Sequence, residues 1–369
     1  MIIRSLSFEG FRNLKNGKIE PCEGVNVIYD ENAQGKTNLI EALWMLTGNK
    51  SFRGAKDSEL IAIGKDHAKL TAEFFAADRE QKLSIIYLKG KKEVILNDVK
   101  QKGTSSLLGN ICAVVFSPEH LSLVKDGPSE RRRFIDDALC QIKPSYKDSL
   151  VKYAKILNQR NTLLKDIPKN KRLEDTLDAW DQRLAAVAAA MISARIRYIR
   201  KLNECADMYH NGISSQKEKL ELTYKCTVQQ AENMTSEQIR DFIVDYLKSN
   251  RANDILAGIT SIGPHRDDVE IKINGTSVRS FGSQGQQRSC VLSMKIAEEE
   301  ILELSISEKP IVFLDDVLSE LDSSRQEFLL NEIDERQVFI TCCEAASVER
   351  LNNGKLFRVE NGQIESQII

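Results

Sequence analysis

Lys36 and Thr37 close the run Asp30-Glu31-Asn32-Ala33-Gln34-Gly35-Lys36-Thr37, and far along the chain Asp315 and Asp316 follow the apolar run Ile311-Val312-Phe313-Leu314. These residue types point to phosphate chemistry. An ammonium can neutralise β- and γ-phosphate charge, a hydroxyl can ligate Mg²⁺, and acids delivered at the carboxyl end of a buried strand are how an α/β sheet sets metal ligands beside a phosphate. The spacing approaches the phosphate-loop pattern G-x-x-x-x-G-K-[ST], which requires a strand before it and a helix after it. Both are present: Val25-Asn26-Val27-Ile28-Tyr29 leads in, and Leu39, Ile40, Leu43 and Leu46 mark a helix that ends near Gly48. One residue departs from the pattern. Asp30 stands at the position of the first glycine, adding a β-carbon and a negative charge. A like charge about 5 Å from a phosphate at an effective dielectric of ~20 costs around 3 kcal/mol, so the expectation is weakened rather than abolished nucleotide binding.

The elements that must position these groups fit a chain of 369 residues, long enough for one large or two ordinary domains. Its 41% hydrophobic and 29% charged residues are the composition of a soluble globular protein. No apolar run reaches a membrane span, and the opening residues read as a strand rather than a signal peptide. The eight cysteines lack zinc spacing and read as reduced thiols. A formal charge of −2 excludes a uniformly basic coat and leaves room for a local basic face.

Ile2-Ile3-Arg4-Ser5-Leu6-Ser7-Phe8 opens the chain as a strand, and residues 70–75, 83–88, 94–99 and 111–116 read as further strands. Lys89, Lys91, Lys92, Lys100 and Lys102 crowd the ends of two of them, as a solvated rim or as a contact for a nucleic-acid backbone. From Pro128 the texture becomes helical, with Ser129 read as the N-cap, and remains so to about Leu256. Leu177, Leu184, Met191 and Tyr198 recur every seven residues, interleaved with Leu173, Trp180, Val187 and Ala194. This predicts an antiparallel coiled-coil hairpin of about four heptads about the turn 167–171. With ~35 residues a side it cannot exceed about 50 Å. Arg195, Arg197, Arg200 and Lys201 read as its wet face or as a DNA contact. Sheet-like sequence returns after Gly263-Pro264-His265-Arg266-Asp267-Asp268, with a hairpin turn at Asn274-Gly275 and a return strand from Val278. Ser280 to Arg288 is then a turn rich in small and amide residues that opens a helix, and Val338-Phe339-Ile340-Thr341 is another buried strand.

Taken in order, Phe11-Arg12-Asn13-Leu14, Glu31-Asn32-Ala33-Gln34-Gly35-Lys36-Thr37-Asn38, Ser129-Glu130-Arg131-Arg132-Arg133-Phe134, Gly263 to Asp268, Ser283-Gln284-Gly285-Gln286-Gln287-Arg288 and Leu314-Asp315-Asp316-Val317-Leu318-Ser319-Glu320-Leu321-Asp322 resemble the RecF family. These are bacterial recombination-repair ATPases related to SMC proteins and to the nucleotide-binding domains of ABC transporters. The resemblance implies an ABC-type α/β P-loop ATPase head with a mixed sheet, residues 1–125 and 259–369, and an inserted helical lobe with the short coiled-coil hairpin, 126–258. It implies ATP and Mg²⁺ as ligands: residues 30–38, that is Asp30, Glu31, Asn32, Ala33, Gln34, Gly35, Lys36, Thr37 and Asn38, around the nucleotide, with Arg12 contacting it. Thr37 and Asp315 match the metal ligands and Asp316 the general base that orients the attacking water. Ser283, Gly285 and Gln286 match the signature motif that grips the γ-phosphate of an opposite subunit, and a serine and a bare glycine at a helix N-terminus suit an anion. Asp322 matches an acid crossing the dimer interface.

The same resemblance implies an ATP-dependent homodimer on double-stranded and junction or gapped DNA, acting with RecR, RecO and RecA as a weak DNA-dependent ATPase. It also implies a cytoplasmic, nucleoid-associated setting. The chain has Thr341-Cys342-Cys343 where transporter ATPases place a switch histidine, which predicts slow hydrolysis and argues against a transporter subunit. The two cysteines read as small buried residues. An SMC-like tether that binds ATP but scarcely hydrolyses it is the other alternative, disfavoured by the short hairpin.

Overall fold

The strand that feeds the phosphate loop, Val25–Tyr29, lies inside a six-stranded sheet. A computed structural model describes residues 1–31, 33–343 and 354–368. In that sheet the order is Gln363–Ile368, Lys355–Glu360, Val25–Tyr29, Val338–Cys342, Ile311–Leu314 and Ala113–Phe116. The first pair is antiparallel and the rest are parallel, so the sheet is mixed. Ile311–Leu314 and Ala113–Phe116 are buried throughout, as continuous apolar strands covered on both faces must be. Because these strands run the same way, their carboxyl ends share one edge, and the loop after Tyr29 comes out beside the acids after Leu314.

Helix Lys36–Met45 is buried nearly all round. Its Leu39, Leu43 and Trp44 join one hydrophobic core with Phe313 and Phe339 of the mixed sheet and with Leu70, Phe74 and Ile85 of a second, antiparallel sheet. That second sheet has the order Gly17–Ile19, Ile2–Glu9, His67–Ala76, Arg79–Leu88, Lys91–Leu96, Val99–Lys100. A helix held on so many sides gives the first-turn groups Lys36 and Thr37 a rigid base. Lys89, Lys91, Lys92 and Lys100 pair with Asp66, Glu93, Asp57 and Glu93. The lysine crowd is thus largely a rim neutralised by its own acids.

The chain divides into two compact units, one of Met1–Val124, Cys205–Lys219 and Ser283–Ile369, the other of Lys125–Glu204 and Leu220–Gly282. In the second, helix Ser145–Asp166 runs antiparallel to the part of helix Leu177–Ile213 that lies in this unit. Tyr146 meets Arg195 near one end and Arg160 meets Asp181 near the other. Leu177, Leu184, Met191 and Tyr198 are all buried, as the seven-residue spacing requires. The first helix has 22 residues rather than the ~35 expected per side, because Lys143-Pro144 ends the preceding helix and starts this one late. Three local expectations need correction. Helix Pro128–Ile142 is capped at Gly127, with Pro128 in the first turn where its missing N–H costs nothing, so Ser129 lies inside it. The return strand after Asn274-Gly275 is only Thr276–Ser277, and Val278 starts a helical turn instead. Arg195 is buried on Asp136 and the Pro264 carbonyl, and is no surface contact.

Candidate active site

Gly35 sets the geometry of the loop. Its φ of 118° suits glycine, and a β-carbon there would stand 3.0 Å from the Asn13 side chain. Helix Lys36–Met45 starts at once, and its first-turn N–H groups are available to an anion. The Lys36 ammonium, buried, donates to the loop's own carbonyl oxygens of Asp30 and Glu31, the latter at 3.0 Å. Ala33, Gly35, Lys36, Thr37, Asn38, Arg53 and Asp316 line a cleft of ≈ 260 Å³. Asn32 lies outside the described residues.

Across the cleft the two acids are held by hydroxyls. Thr37 Oγ1 donates to Asp315 Oδ1 at 3.0 Å. Thr341 Oγ1 donates to the same oxygen at 3.1 Å and accepts from the Asp316 N–H at 2.8 Å. Asp316 sits at φ 54°, a left-handed backbone that costs a non-glycine residue roughly 1–2 kcal/mol. Burial, and then the neighbouring charge of Asp316, push the Asp315 carboxyl up to about 6, against the pull of the two hydroxyls. Such a carboxylate favours a cation. Among the described residues no group of three or more His, Cys, Asp or Glu could hold a metal alone. One hydroxyl and one carboxylate 3.0 Å apart do suit a small hard ion that completes its shell with phosphate oxygens and water, the preference of Mg²⁺.

Other predicted residues are committed elsewhere. The Asp30 carboxylate is held by two donors: Oδ1 accepts from the Glu31 N–H at 2.7 Å and Oδ2 from Arg358 Nε at 2.9 Å. Gln34 faces the C-terminal hairpin, accepting from the Asn361 and Gly362 N–H groups at 2.7 and 3.1 Å. Arg12 forms a bidentate pair with buried Glu41 at 2.8 and 2.9 Å and does not line the cleft. Asn38 accepts from Arg53 at 2.9 Å and donates to Asn13 at 2.6 Å.

The signature turn stands apart from the cleft, whose lining includes none of Ser283, Gly285 or Gln286. Ser283 caps helix Gln284–Ile306 reciprocally: its hydroxyl accepts from the Gln286 N–H at 3.2 Å, and the Gln286 side-chain oxygen accepts from the Ser283 N–H at 2.9 Å. Its oxygen thus occupied as acceptor, the exposed hydroxyl keeps its proton for an outside anion. Gln286 Nε2 donates to Glu218 at 2.8 Å. Asp322 caps the next helix, Ser323–Glu332, and pairs with Arg325, whose Nε donates to Ser289 at 2.9 Å.

Sequence reasoning missed Thr341 as a partner of the acids, Arg53 in the cleft wall, Glu41, Glu218 and Arg358. Only Thr341 carried a usable signal, as the last residue of an expected buried strand. The expectation of two buried cysteines fails at both: Cys342, the last residue of Val338–Cys342, is half-buried, and Cys343 just beyond it is exposed.

Comparison with known proteins gives the chain its family. The family described as RecF/RecN/SMC N terminal domain matches residues 2–365. The chain is similar to the DNA replication and repair protein RecF of Ruminiclostridium cellulolyticum, 42% identical across 99% of this chain and 100% of that one. It is also similar to the RecF of Acetivibrio thermocellus, 40% identical across 98% and 99%. A solved structure of the recombination mediator protein RecF with ATP, in the RecFOR pathway, superposes with a TM-score of 0.92 at 37% identity, covering 99% of this chain and 97% of that one. An Smc head bound to the C-terminal winged-helix domain of ScpA shares the fold at a TM-score of 0.57 and 15% identity, covering 100% and 98%.

Proposed function

The chain belongs to the RecF family, and on that premise we propose that it is an ATP-dependent clamp on DNA in recombinational repair. The loop N–H groups and Lys36 receive the phosphates of ATP. Thr37 and Asp315 would hold Mg²⁺, which would neutralise phosphate charge. Asp316, at the cleft wall, is the base that orients and deprotonates the attacking water. Asn38 and Arg53 border the phosphates, and Arg12 reaches the nucleotide by leaving Glu41.

One observation carries the reading: among the described residues the cleft around Lys36 is lined by loop and helix residues, Arg53 and Asp316 and by none of Ser283, Gly285 or Gln286, while the same chain presents those three at a helix N-terminus outside it. A second copy facing the first supplies the missing cap to each site, with Asp322 at the seam. Closure then assembles the DNA-binding face, and hydrolysis releases it. With no histidine at Cys342 or Cys343, turnover is slow. The family setting supports gapped or junction DNA as the target and RecR, RecO and RecA as partners, with weak stimulation by DNA in the cytoplasm, at the nucleoid. The unit of Met1–Val124, Cys205–Lys219 and Ser283–Ile369 serves as the ATPase head and the unit of Lys125–Glu204 and Leu220–Gly282 as the lobe that meets DNA or partners, in place of the bounds 125/126 and 258/259 read from the sequence.

Sizing the protein with ADP, with ATP and with a non-hydrolysable analogue tests this. Growth from monomer to dimer only with a triphosphate is expected, and a mass that ignores the nucleotide overturns the clamp.

A further inference from the structure

The hairpin formed by Lys355–Glu360 and Gln363–Ile368 meets the phosphate loop and the separate segment 13–15 at three points in all. Gln34 accepts hydrogen bonds from the turn through both its side chain and its carbonyl. The Gly362 carbonyl accepts from the Lys15 N–H at 2.8 Å, and at φ 75° a β-carbon on Gly362 would stand 2.1 Å from the Asn13 carbonyl oxygen, so turn and loop base are in direct apposition. The third point is Arg358, whose Nε holds the Asp30 carboxylate at 2.9 Å. Asp30 itself is not among the described residues with positive φ, so its β-carbon costs no backbone strain. What remains against it is its charge. Lys36 takes the Asp30 carbonyl, and the side chain, only 11% exposed, is turned to the guanidinium.

We propose that this hairpin braces the phosphate loop and that Arg358 is the positioning residue that lets the chain carry aspartate in place of the first loop glycine. By pairing with the carboxylate and neutralising it, Arg358 offsets the repulsion that Asp30 otherwise presents to a triphosphate. The inference rests on the reading of residues 30–37 as an ATP phosphate loop.

The test is equilibrium binding of Mg·ATP to the full chain, as wild type, Arg358→Ala, Asp30→Gly and the double variant, with Lys36→Ala as control. Arg358→Ala is expected to bind about tenfold more weakly, the order set by one unit charge a few ångströms from a phosphate after solvent screening, and its deficit narrows as salt rises. Asp30→Gly restores binding in the double variant to the level of the single Asp30→Gly chain. Arg358→Lys, which keeps the charge, retains most of the affinity, and Arg358→Gln replaces alanine if that variant loses its unfolding transition. Wild-type affinity in Arg358→Ala, or an equal loss with and without Asp30, overturns the proposal while leaving the phosphate loop intact. Unchanged ATP binding in Lys36→Ala overturns the loop reading and this inference with it.

Discussion

The hydroxyl of Thr341 illustrates how much of the site depends on single side chains. It serves two acids at once, donating to Asp315 and accepting from the Asp316 N–H. Thr341→Val keeps the volume and removes both bonds, leaving a buried donor unpaired at a cost of about 1–3 kcal/mol. Steady-state hydrolysis by this variant is expected to drop about tenfold or more in kcat, with ATP affinity much less affected. An unchanged kcat contradicts the role. Asp316→Asn should lose at least ~100-fold in turnover and still dimerise with ATP, since a base acts on the water and not on the grip. At this scale the sequence was readable where chemistry is contiguous: Lys36 with Thr37, and Asp315 with Asp316. Thr341 and Arg358 reach the same site only through strand pairing, Leu314 beside Ile340 and Tyr29 beside Arg358, which no local pattern encodes.

Among the elements, the helical hairpin shows a comparable split. The seven-residue repeat of Leu177, Leu184, Met191 and Tyr198 announced the buried face, but an arginine in a helix ordinarily reads as solvated. Arg160 instead is fully buried, donating to Asp181 at 2.7 Å, Asp254 at 2.8 Å and Thr260 at 2.9 Å. Arg160→Ala leaves two buried carboxylates short of their cation and should destabilise this unit by about 3–5 kcal/mol in urea unfolding, where an ordinary surface arginine costs almost nothing. His265 makes the same unit sensitive to acid. Burial first, and then the nearby positive charges of Arg266, Arg132 and Arg195, hold its imidazole down at about 4 against an ordinary 6.5, even though a contact to the Thr260 carbonyl opposes this. The depressed value means that stability from the neutral ring is complete above pH ~6.5 and is lost as pH falls toward 4, on the order of 3 kcal/mol in all. His265→Gln should flatten that part of the stability–pH curve; an unaltered curve contradicts the assignment.

For the molecule as a whole, three separate stretches of chain make the unit that holds the cleft, and the signature turn enters with the last of them. Motif order therefore exposed the mixed-sheet ATPase head, while the short stretch Cys205–Lys219, with Glu218 beside Gln286, gave no sign of belonging to it. On the proposed reading, no single copy contains a complete site. Mixing a Lys36→Ala chain with a Ser283→Arg chain tests it most directly. Each variant alone should be inactive, and the mixture should recover roughly a quarter of wild-type ATP turnover, because about half the pairs are mixed and each mixed pair keeps one intact site of two. A mixture as inactive as its parents, or a Ser283→Arg chain that turns over ATP normally by itself, would contradict the account.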